Sequence, residues 1–188
     1  WSSDVCSSDL LGDAEKITPE TLRRAAGAAA RSLFGSDSAD FALPHKSAAE
    51  LSAICEGALL GSYLFMDFFS KVANEKKQPL QKVNVVSRFT DTDLVKKIIK
   101  RTVVVAEQTA MVRNLINTPP SHLTPESFCK LVSELCKELP IKAQTYKSDY
   151  LVKNGYGGII GVGKGSANPP ALLHLSYQPK TKAVKRFA

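Results

Sequence analysis

The segment at residues 158–170, GIIGVGKGSANPP, contains the residue types of a phosphate-binding loop. A Walker A loop needs the pattern G-x-x-x-x-G-K-[ST], and Gly158, Gly163 and Lys164 match its glycine and lysine positions. Gly165 stands where the magnesium-binding hydroxyl belongs, and Ser166 comes one position late. A Pro-Pro pair then follows where the phosphate-facing helix should run, and proline disfavours helical geometry in the residue before it. The segment therefore departs from a Walker A loop at its functional end.

The dinucleotide-binding pattern G-x-G-x-x-G also fails, because Gly161-x-Gly163 would need a glycine at Ser166. We interpret residues 161–170 as a structural loop, in which glycines permit positive φ and close backbone approach at a sharp bend between two strands. A nucleotide enzyme built on residues 158–166 stays open as an alternative. Saturable ATP binding that depends on Lys164 would support it.

The other residue types that do chemistry are scattered. His45, His122 and His174 form no H-E-x-x-H motif, which argues against a metal site built wholly from this chain. Cys129 is a conceivable nucleophile, but its helical, apolar neighbourhood predicts an inert buried thiol. The cysteines have no metal-type spacing and favour reduced thiols in a cytoplasm; they are Cys6, Cys55, Cys129 and Cys136. Composition and spacing thus assign no catalytic, cofactor-binding or metal-binding residue.

The formal net charge of +7 raises the question of an anionic partner. Part of the excess lies in a C-terminal cluster of Lys180, Lys182, Lys185 and Arg186. A second cluster alternates with apolar residues and suits the solvent side of an amphipathic helix; it comprises Lys96, Lys97, Lys100 and Arg101. A stand-alone α/β binding module with a basic surface that contacts nucleic acid is therefore the alternative from a different class. No apolar run is long enough for a membrane span.

Helix and strand signals alternate from Thr18 onward, which predicts an α/β fold. Thr18-Pro19-Glu20 and Thr124-Pro125-Glu126 are helix starts, and Ser47 with Glu50 forms a capping box. Gly57 and Gly61 share one helix face and would allow close packing. We predict helices at residues 22–34, 48–66, 94–116, 125–138 and 148–153. We predict strands at residues 40–44, 82–87, 141–146 and 171–177.

Both ends of the sequence read as interrupted. Residues 1–10, WSSDVCSSDL, repeat Ser-Ser-Asp without helix or strand periodicity, and we treat them as an unreliable or foreign head. Residues 182–188 begin what reads as a strand and stop without a turn or cap. We expect the chain to be a fragment of a longer protein.

Two long motifs resemble the leucyl aminopeptidase family, the cytosol aminopeptidases. They are NTPPSHLTPE at residues 117–126 and YGGIIGVGKGSANPP at residues 156–170, the second followed by LLHLSY at 172–177. EGALLGSYLF at residues 56–65 resembles the family's N-terminal-domain helix. The likeness covers about residues 41–188. Lys164 stands where many members carry glutamine.

The resemblance implies a cytoplasmic, typically hexameric enzyme that removes amino acids one at a time from the free N-terminus of peptides. It implies two divalent metals, zinc or manganese, that hold the substrate amine and activate a bridging water. In the family, the metal ligands and catalytic lysine and arginine follow the strand that begins near residues 184–188. No catalytic, cofactor or metal residue is therefore transferred to this chain, and we expect the fragment to bind no metal and to be inactive.

The expected organisation follows from this resemblance and from the helix and strand signals. Residues 11–90 would form most of an N-terminal α/β, macro-like domain, and residues 91–123 a long linker helix with a proline-rich connection. Residues 124–188 would begin an α/β/α metallopeptidase domain, truncated in this chain. We expect neither a membrane nor a nucleic-acid partner.

Overall fold

The computed structural model describes residues 11–68, 78–179 and 181. The predicted head at residues 1–10, the strand beginning at 182–188 and the basic residues of the C-terminal cluster lie outside the described residues. A short 3-10 turn at Ala14–Lys16 precedes a mixed α/β succession of elements, as predicted. The elements are α1 (Pro19–Ser32), β1 (Ser38–Phe41), α2 (Ala48–Gly61), β2 (Lys82–Val85), α3 (Thr92–Asn117), α4 (Pro125–Cys136), β3 (Ile141–Lys147), α5 (Ser148–Lys153), α6 (Gly157–Gly163) and β4 (Ala171–Tyr177).

The chain divides into two compact units at the end of α3. The N-terminal unit ends at Asn117, and the C-terminal unit begins at Thr118. The division lies where Pro119 and Pro120 follow α3, because proline lacks the amide donor that a continuing helix needs.

Side-chain caps fix the starts of the helices in the N-terminal unit. Thr18 Oγ1 accepts a hydrogen bond from the Thr21 amide (3.2 Å), and Ser47 Oγ accepts one from the Glu50 amide (3.2 Å). The Glu50 carboxylate accepts in return from the Ser47 amide (3.0 Å), which completes the predicted capping box. Asp91 Oδ1 likewise accepts from amides in the first turn of α3.

Helices α1 and α2 contact each other backbone to backbone. A Cβ built on Gly57 would lie 2.1 Å from the Arg23 carbonyl oxygen, and one on Gly61 would lie 2.4 Å from the Gly27 carbonyl oxygen. The predicted role of Gly57 and Gly61 in close packing is confirmed. Beside this contact, the Arg23 guanidinium donates to Glu56 Oε2 from Nε (3.0 Å) and Nη2 (2.9 Å). The apolar core around it is formed by Leu11, Leu22, Ala25, Ala26, Ala30, Phe41, Ile54, Ala58 and Leu80.

Helix α2 ends at Gly61, five residues before its predicted end at Met66. The apolar run continues through Leu64 and Phe65, but Tyr63 leaves the helix for a contact with α3. Its hydroxyl donates to Asn114 Oδ1 (2.7 Å), and the Arg113 guanidinium carbon lies 3.8 Å from the centre of its ring. A tertiary contact thus overrides the local helical pattern.

Strands β1 and β2 pair in parallel, with Ser38 opposite Lys82 and Phe41 opposite Val85. Both predicted strands exist, but β1 begins two residues earlier than expected, and β2 ends two residues earlier. Asn84 Nδ2 donates to Asp40 Oδ1 across the pair (2.7 Å). Because the pairing is parallel, both strands end at the same edge of the sheet.

The C-terminal unit places α4 against an antiparallel pair of β3 and β4. The register runs from Ile141 opposite Tyr177 to Lys147 opposite Ala171. Thr124 caps α4, as predicted, although its reciprocal partner is Ser127 and not a carboxylate. The connection from β3 to β4 contains α5 and α6.

The interpretation of the glycine segment as an irregular bend was wrong in one respect. Gly157–Gly163 is the helix α6, and none of the glycines from 157 to 165 has a positive φ. Glycine reaches helical angles as readily as other backbone conformations, so a glycine-rich composition does not by itself forbid a short helix. The predicted close approach is found at Gly163, where a Cβ would lie 2.7 Å from Pro170 Cβ.

We expect Gly57→Ala to lower the free energy of unfolding by roughly 1–3 kcal/mol, because its methyl group would overlap the Arg23 backbone. Gly27→Ala is the matched control, since its Cβ would meet the Gly57 carbonyl oxygen at 3.2 Å and needs a much smaller adjustment. Urea unfolding followed by circular dichroism measures both variants. Equal stability of the two would contradict the close packing described here.

Candidate functional site

The glycine segment lacks the geometry of a phosphate cradle. A Walker A lysine lies at the start of a helix, whose free amides face the phosphates. Here Lys164 follows the last residue of α6 and is exposed. The end of a helix presents carbonyl oxygens and the negative pole of its dipole, which repel an anion. The residues after Lys164 lead through Pro169 and Pro170 into β4 and open no helix.

Internal contacts give the segment a structural role. Pro170 packs against Gly163 at a distance that leaves no room for a side chain, and its carbonyl accepts from Ser148 Oγ (3.1 Å). The Ser166 amide donates to the Gly163 carbonyl (3.1 Å), and the Asn168 amide donates to Ser166 Oγ (3.1 Å). These bonds join the end of α6, the proline-rich turn and the start of α5. They fix the path by which the chain enters β4.

Three tyrosines at the entry to this segment form a cluster that the sequence reasoning missed. The rings of Tyr146 and Tyr150 stack with centroids 4.4 Å apart, and the ring of Tyr156 lies 6.4 Å from that of Tyr150. The spacing of four residues between Tyr146 and Tyr150 is a weak signal, because it spans the boundary of β3 and α5.

A shallow cleft of about 560 Å³ adjoins α6, lined by Pro125, Gly158, Ile159, Val162, Gly163, Ser166, Asn168, Pro170 and Ala171.

The histidines lie in three separate settings. The ring of His45 lies beside the Leu43 carbonyl and Ser87 Oγ, each at 2.9 Å, in the N-terminal unit. His122 lies in the turn after Pro119, with Nδ1 3.0 Å from Ser121 Oγ. His174 is exposed on β4, opposite Gln144. The structure brings none of them together, within either unit, as ligands of one centre.

The cysteine side chains of the described residues are buried free thiols: Cys55, Cys129 and Cys136. Burial raises the pKa of the Cys129 thiol, and a hydrogen bond with Thr145 opposes the shift. Burial also raises the pKa of the Cys55 thiol. A raised pKa keeps both thiols protonated at neutral pH, and the thiol form is not nucleophilic. The expectation that Cys129 is an inert buried thiol is consistent with this setting.

The described residues also bear on the requirements of a metal site, a basic binding surface and a membrane span. Within residues 11–68, 78–179 and 181, no cluster of three or more His, Cys, Asp or Glu side chains is arranged to hold a metal ion. The predicted basic cluster of α3 is exposed, as expected for the solvent side of a helix; it comprises Lys96, Lys97, Lys100 and Arg101. No helix among the described residues is both long and apolar enough to cross a membrane.

Comparison with known proteins gives the class of the fold and its site. A model of the cytosol aminopeptidase family's N-terminal domain matches residues 11–71, and a model of that family's catalytic domain matches residues 110–188. The chain is thus an α/β protein that carries part of a peptidase catalytic domain, and the glycine segment lies within that part. The probable cytosol aminopeptidase of Streptomyces avermitilis is 46% identical over 171 residues, which cover 90% of this chain and 33% of that protein. The corresponding protein of Micrococcus luteus is 38% identical over 177 residues, or 93% of this chain and 34% of that protein.

Solved structures agree with these matches. The bottromycin maturation enzyme BotP, solved in complex with Mn, matches with a TM-score of 0.75 and 30% identity, over 90% of this chain and 36% of that chain. A mutant of tomato leucine aminopeptidase shares the fold with a TM-score of 0.77 at 22% identity, over 90% of this chain and 35% of that chain. The chain belongs to the cytosol aminopeptidase family. It spans about a third of the length of the curated relatives it matches.

We expect Gly163→Ala to destabilise the C-terminal unit by roughly 1–3 kcal/mol, because its methyl group would overlap Pro170. Gly161→Ala, in the same helix, would meet nothing within 4 Å and should raise helix stability by up to about 1 kcal/mol. Thermal unfolding of the parent chain and of both variants measures the two changes in stability, which should be opposite in sign. The same sign for both would disprove the contact.

We also expect that Lys164 supports no saturable binding of ATP, since it lies at the carbonyl end of α6. Equilibrium dialysis with Mg²⁺ present, on the parent chain and on Lys164→Ala, measures this directly. Saturable binding that the substitution abolishes would restore the nucleotide-enzyme alternative.

Proposed function

We propose that this chain is the N-terminal part of a leucyl aminopeptidase, an exopeptidase that depends on two metal ions and releases amino acids from the free N-terminus of peptides. The observation that carries the proposal is the match of the family's catalytic domain to residues 110–188, which include α4, β3, α6 and β4. The relatives in Streptomyces and Micrococcus support it through their names and their identity to most of this chain.

The metal ions of this proposal are zinc or manganese, and the Mn in the BotP structure supports a divalent ion in a related protein. The described residues of this chain hold no cluster of suitable ligands and do not fit a metal centre. We therefore assign no catalytic step to this chain. We place the ligands and the catalytic lysine and arginine in the part of the relatives' length that the chain does not span.

The contribution proposed for this chain is positional. Helix α4 is fixed at its start by Thr124 and Ser127, and it packs on β3 and β4 through residues that include the buried Cys129. The Gly163–Pro170 contact sets where β4 begins. An active site must hold its groups to within a fraction of an ångström. Contacts that fix where β4 begins would help to position such groups.

The proposed assembly and location follow from the family. We place the full protein in the cytoplasm as a homo-hexamer that acts on peptides, without a membrane or nucleic-acid partner. The names of the relatives, which include the word cytosol, support the location. Sedimentation of the full protein would test the hexamer.

The chain of residues 1–188 should release no leucine from a leucyl amide substrate, with or without added Mn²⁺, because its described residues hold no cluster of metal ligands. The measurement is a continuous assay of amine release, with a full-length family member under the same conditions as the positive control. Metal-dependent turnover by residues 1–188 would overturn the assignment of the active site to another part of the protein.

A further inference from the structure

A cleft of about 570 Å³ lies at the carboxyl ends of the parallel strands β1 and β2. Its lining includes Ile17, Leu43, Lys46, Glu50, Val86 and Arg88. This edge is where open α/β sheets collect ligands, because the connections that leave the strands diverge there and enclose a crevice. The volume is in the range of small-molecule sites.

The charged groups of the cleft favour an anion. Lys46 and Arg88 are exposed, and neither side chain forms an ion pair with another described residue. Glu50 is the carboxylate of the lining, but it already accepts from the backbone amides of Lys46 and Ser47. The hydrogen bond from the Lys46 amide, followed by that from Ser47, holds the pKa of Glu50 below its usual value, so the carboxylate stays ionised and engaged at the helix start. The side chains of Lys46 and Arg88 line the cleft, and Lys46 also acts electrostatically on the Glu50 carboxylate.

A hydrogen-bonded link holds the two sides of the cleft together. His45 Nδ1 lies 2.9 Å from the Leu43 carbonyl, which only accepts, so Nδ1 donates to it, and His45 Nε2 lies within hydrogen-bond distance of Ser87 Oγ at 2.9 Å. Ser87 Oγ in turn accepts from the Phe89 amide (3.2 Å), and the Phe89 ring stacks on the imidazole with centroids 5.8 Å apart. The link joins the loop after β1 to the loop after β2.

The hydrogen-bonded link also helps to position Lys46 and Arg88. Lys46 directly follows His45, and Arg88 directly follows Ser87, so the hydrogen bond between His45 and Ser87 fixes the backbone from which both charges project. Holding charges in place before a ligand arrives lowers the entropy that binding must overcome. The apolar lining from Ile17, Leu43 and Val86 supplies a surface for an apolar body beside the charged head.

We propose that the cleft between the loops after β1 and β2 binds a small organic anion, with Lys46 and Arg88 contacting a phosphate or carboxylate head and the apolar lining contacting the body. The site is independent of the peptidase proposal, because it lies within the N-terminal unit and needs neither metal nor peptide.

Phenyl phosphate is the probe, titrated into the parent chain at about 0.1 M salt by calorimetry, with amide shifts mapped by NMR. We expect saturable binding, with shifts concentrated at residues 42–46 and 86–89. Lys46→Gln and Arg88→Gln should each weaken binding about tenfold, as expected for the loss of a charged hydrogen bond. Phenylacetate in place of phenyl phosphate distinguishes a carboxylate ligand from a phosphate ligand.

Matched controls separate a built site from general attraction to a basic protein. The double variant Lys97→Gln/Arg101→Gln removes two charges from the exposed side of α3, more than either single cleft variant removes, and should still change affinity less than about twofold. Circular dichroism verifies that each variant is folded. Three results would overturn the proposal: no saturable binding to the parent chain, equal loss in the α3 double variant, or equal binding of uncharged benzyl alcohol.

Discussion

Helices α1 and α2 pack so closely that backbone touches backbone, and the N-terminal unit is arranged around that contact. Gly57 and Gly61 lie against the carbonyls of Arg23 and Gly27, where a methyl group has no room. The contact excludes water from the Arg23–Glu56 hydrogen bonds only in part, since Arg23 is about one-third exposed. Apolar burial around Leu22 and Ile54 supplies the stabilisation, and the glycines determine where it forms. The position of α2 then fixes the loop after β1 and the cleft beside it.

Glycine is sterically required in the helix α2 of the N-terminal unit, but at most positions of the helix α6 of the C-terminal unit it is not. In α2 the glycines are needed because another helix occupies the space of their side chains. In α6 only Gly163 meets a neighbour, whereas Gly157, Gly158 and Gly161 face open space, and nothing in the described structure requires glycine there. Val162, between two of these glycines, is 90% exposed. The residues that resemble the family most closely are thus only partly explained by contacts within this chain.

Local chemistry in the sequence predicted where most elements begin. Thr18, Ser47 and Thr124 cap helices as expected, because a hydroxyl that bonds the first-turn amides acts within four residues and needs no distant partner. The end of α2 was not predicted, because the contact of Tyr63 with α3 acts over a distance that periodicity does not describe. The helix at Gly157–Gly163 was not predicted, because its glycines were interpreted as the residues of a bend. For the site, spacing alone argued against a Walker A loop, and the position of Lys164 after the end of α6 supports that interpretation. The family was identified from its resemblance to known motifs. The hydrogen bond between His45 and Ser87 joins residues 42 apart, and no sequence pattern predicted it.

The parallel register of β1 and β2 also constrains the order in which the N-terminal unit folds. Asp40 and Asn84 are 44 residues apart in the sequence, and closing so long a segment of chain costs entropy before any strand bond repays it. The helices α1 and α2 are nearer neighbours along the chain, and each carries its own capping box as a local start. We therefore expect the helical pair to form first and to serve as the template on which β2 finds β1.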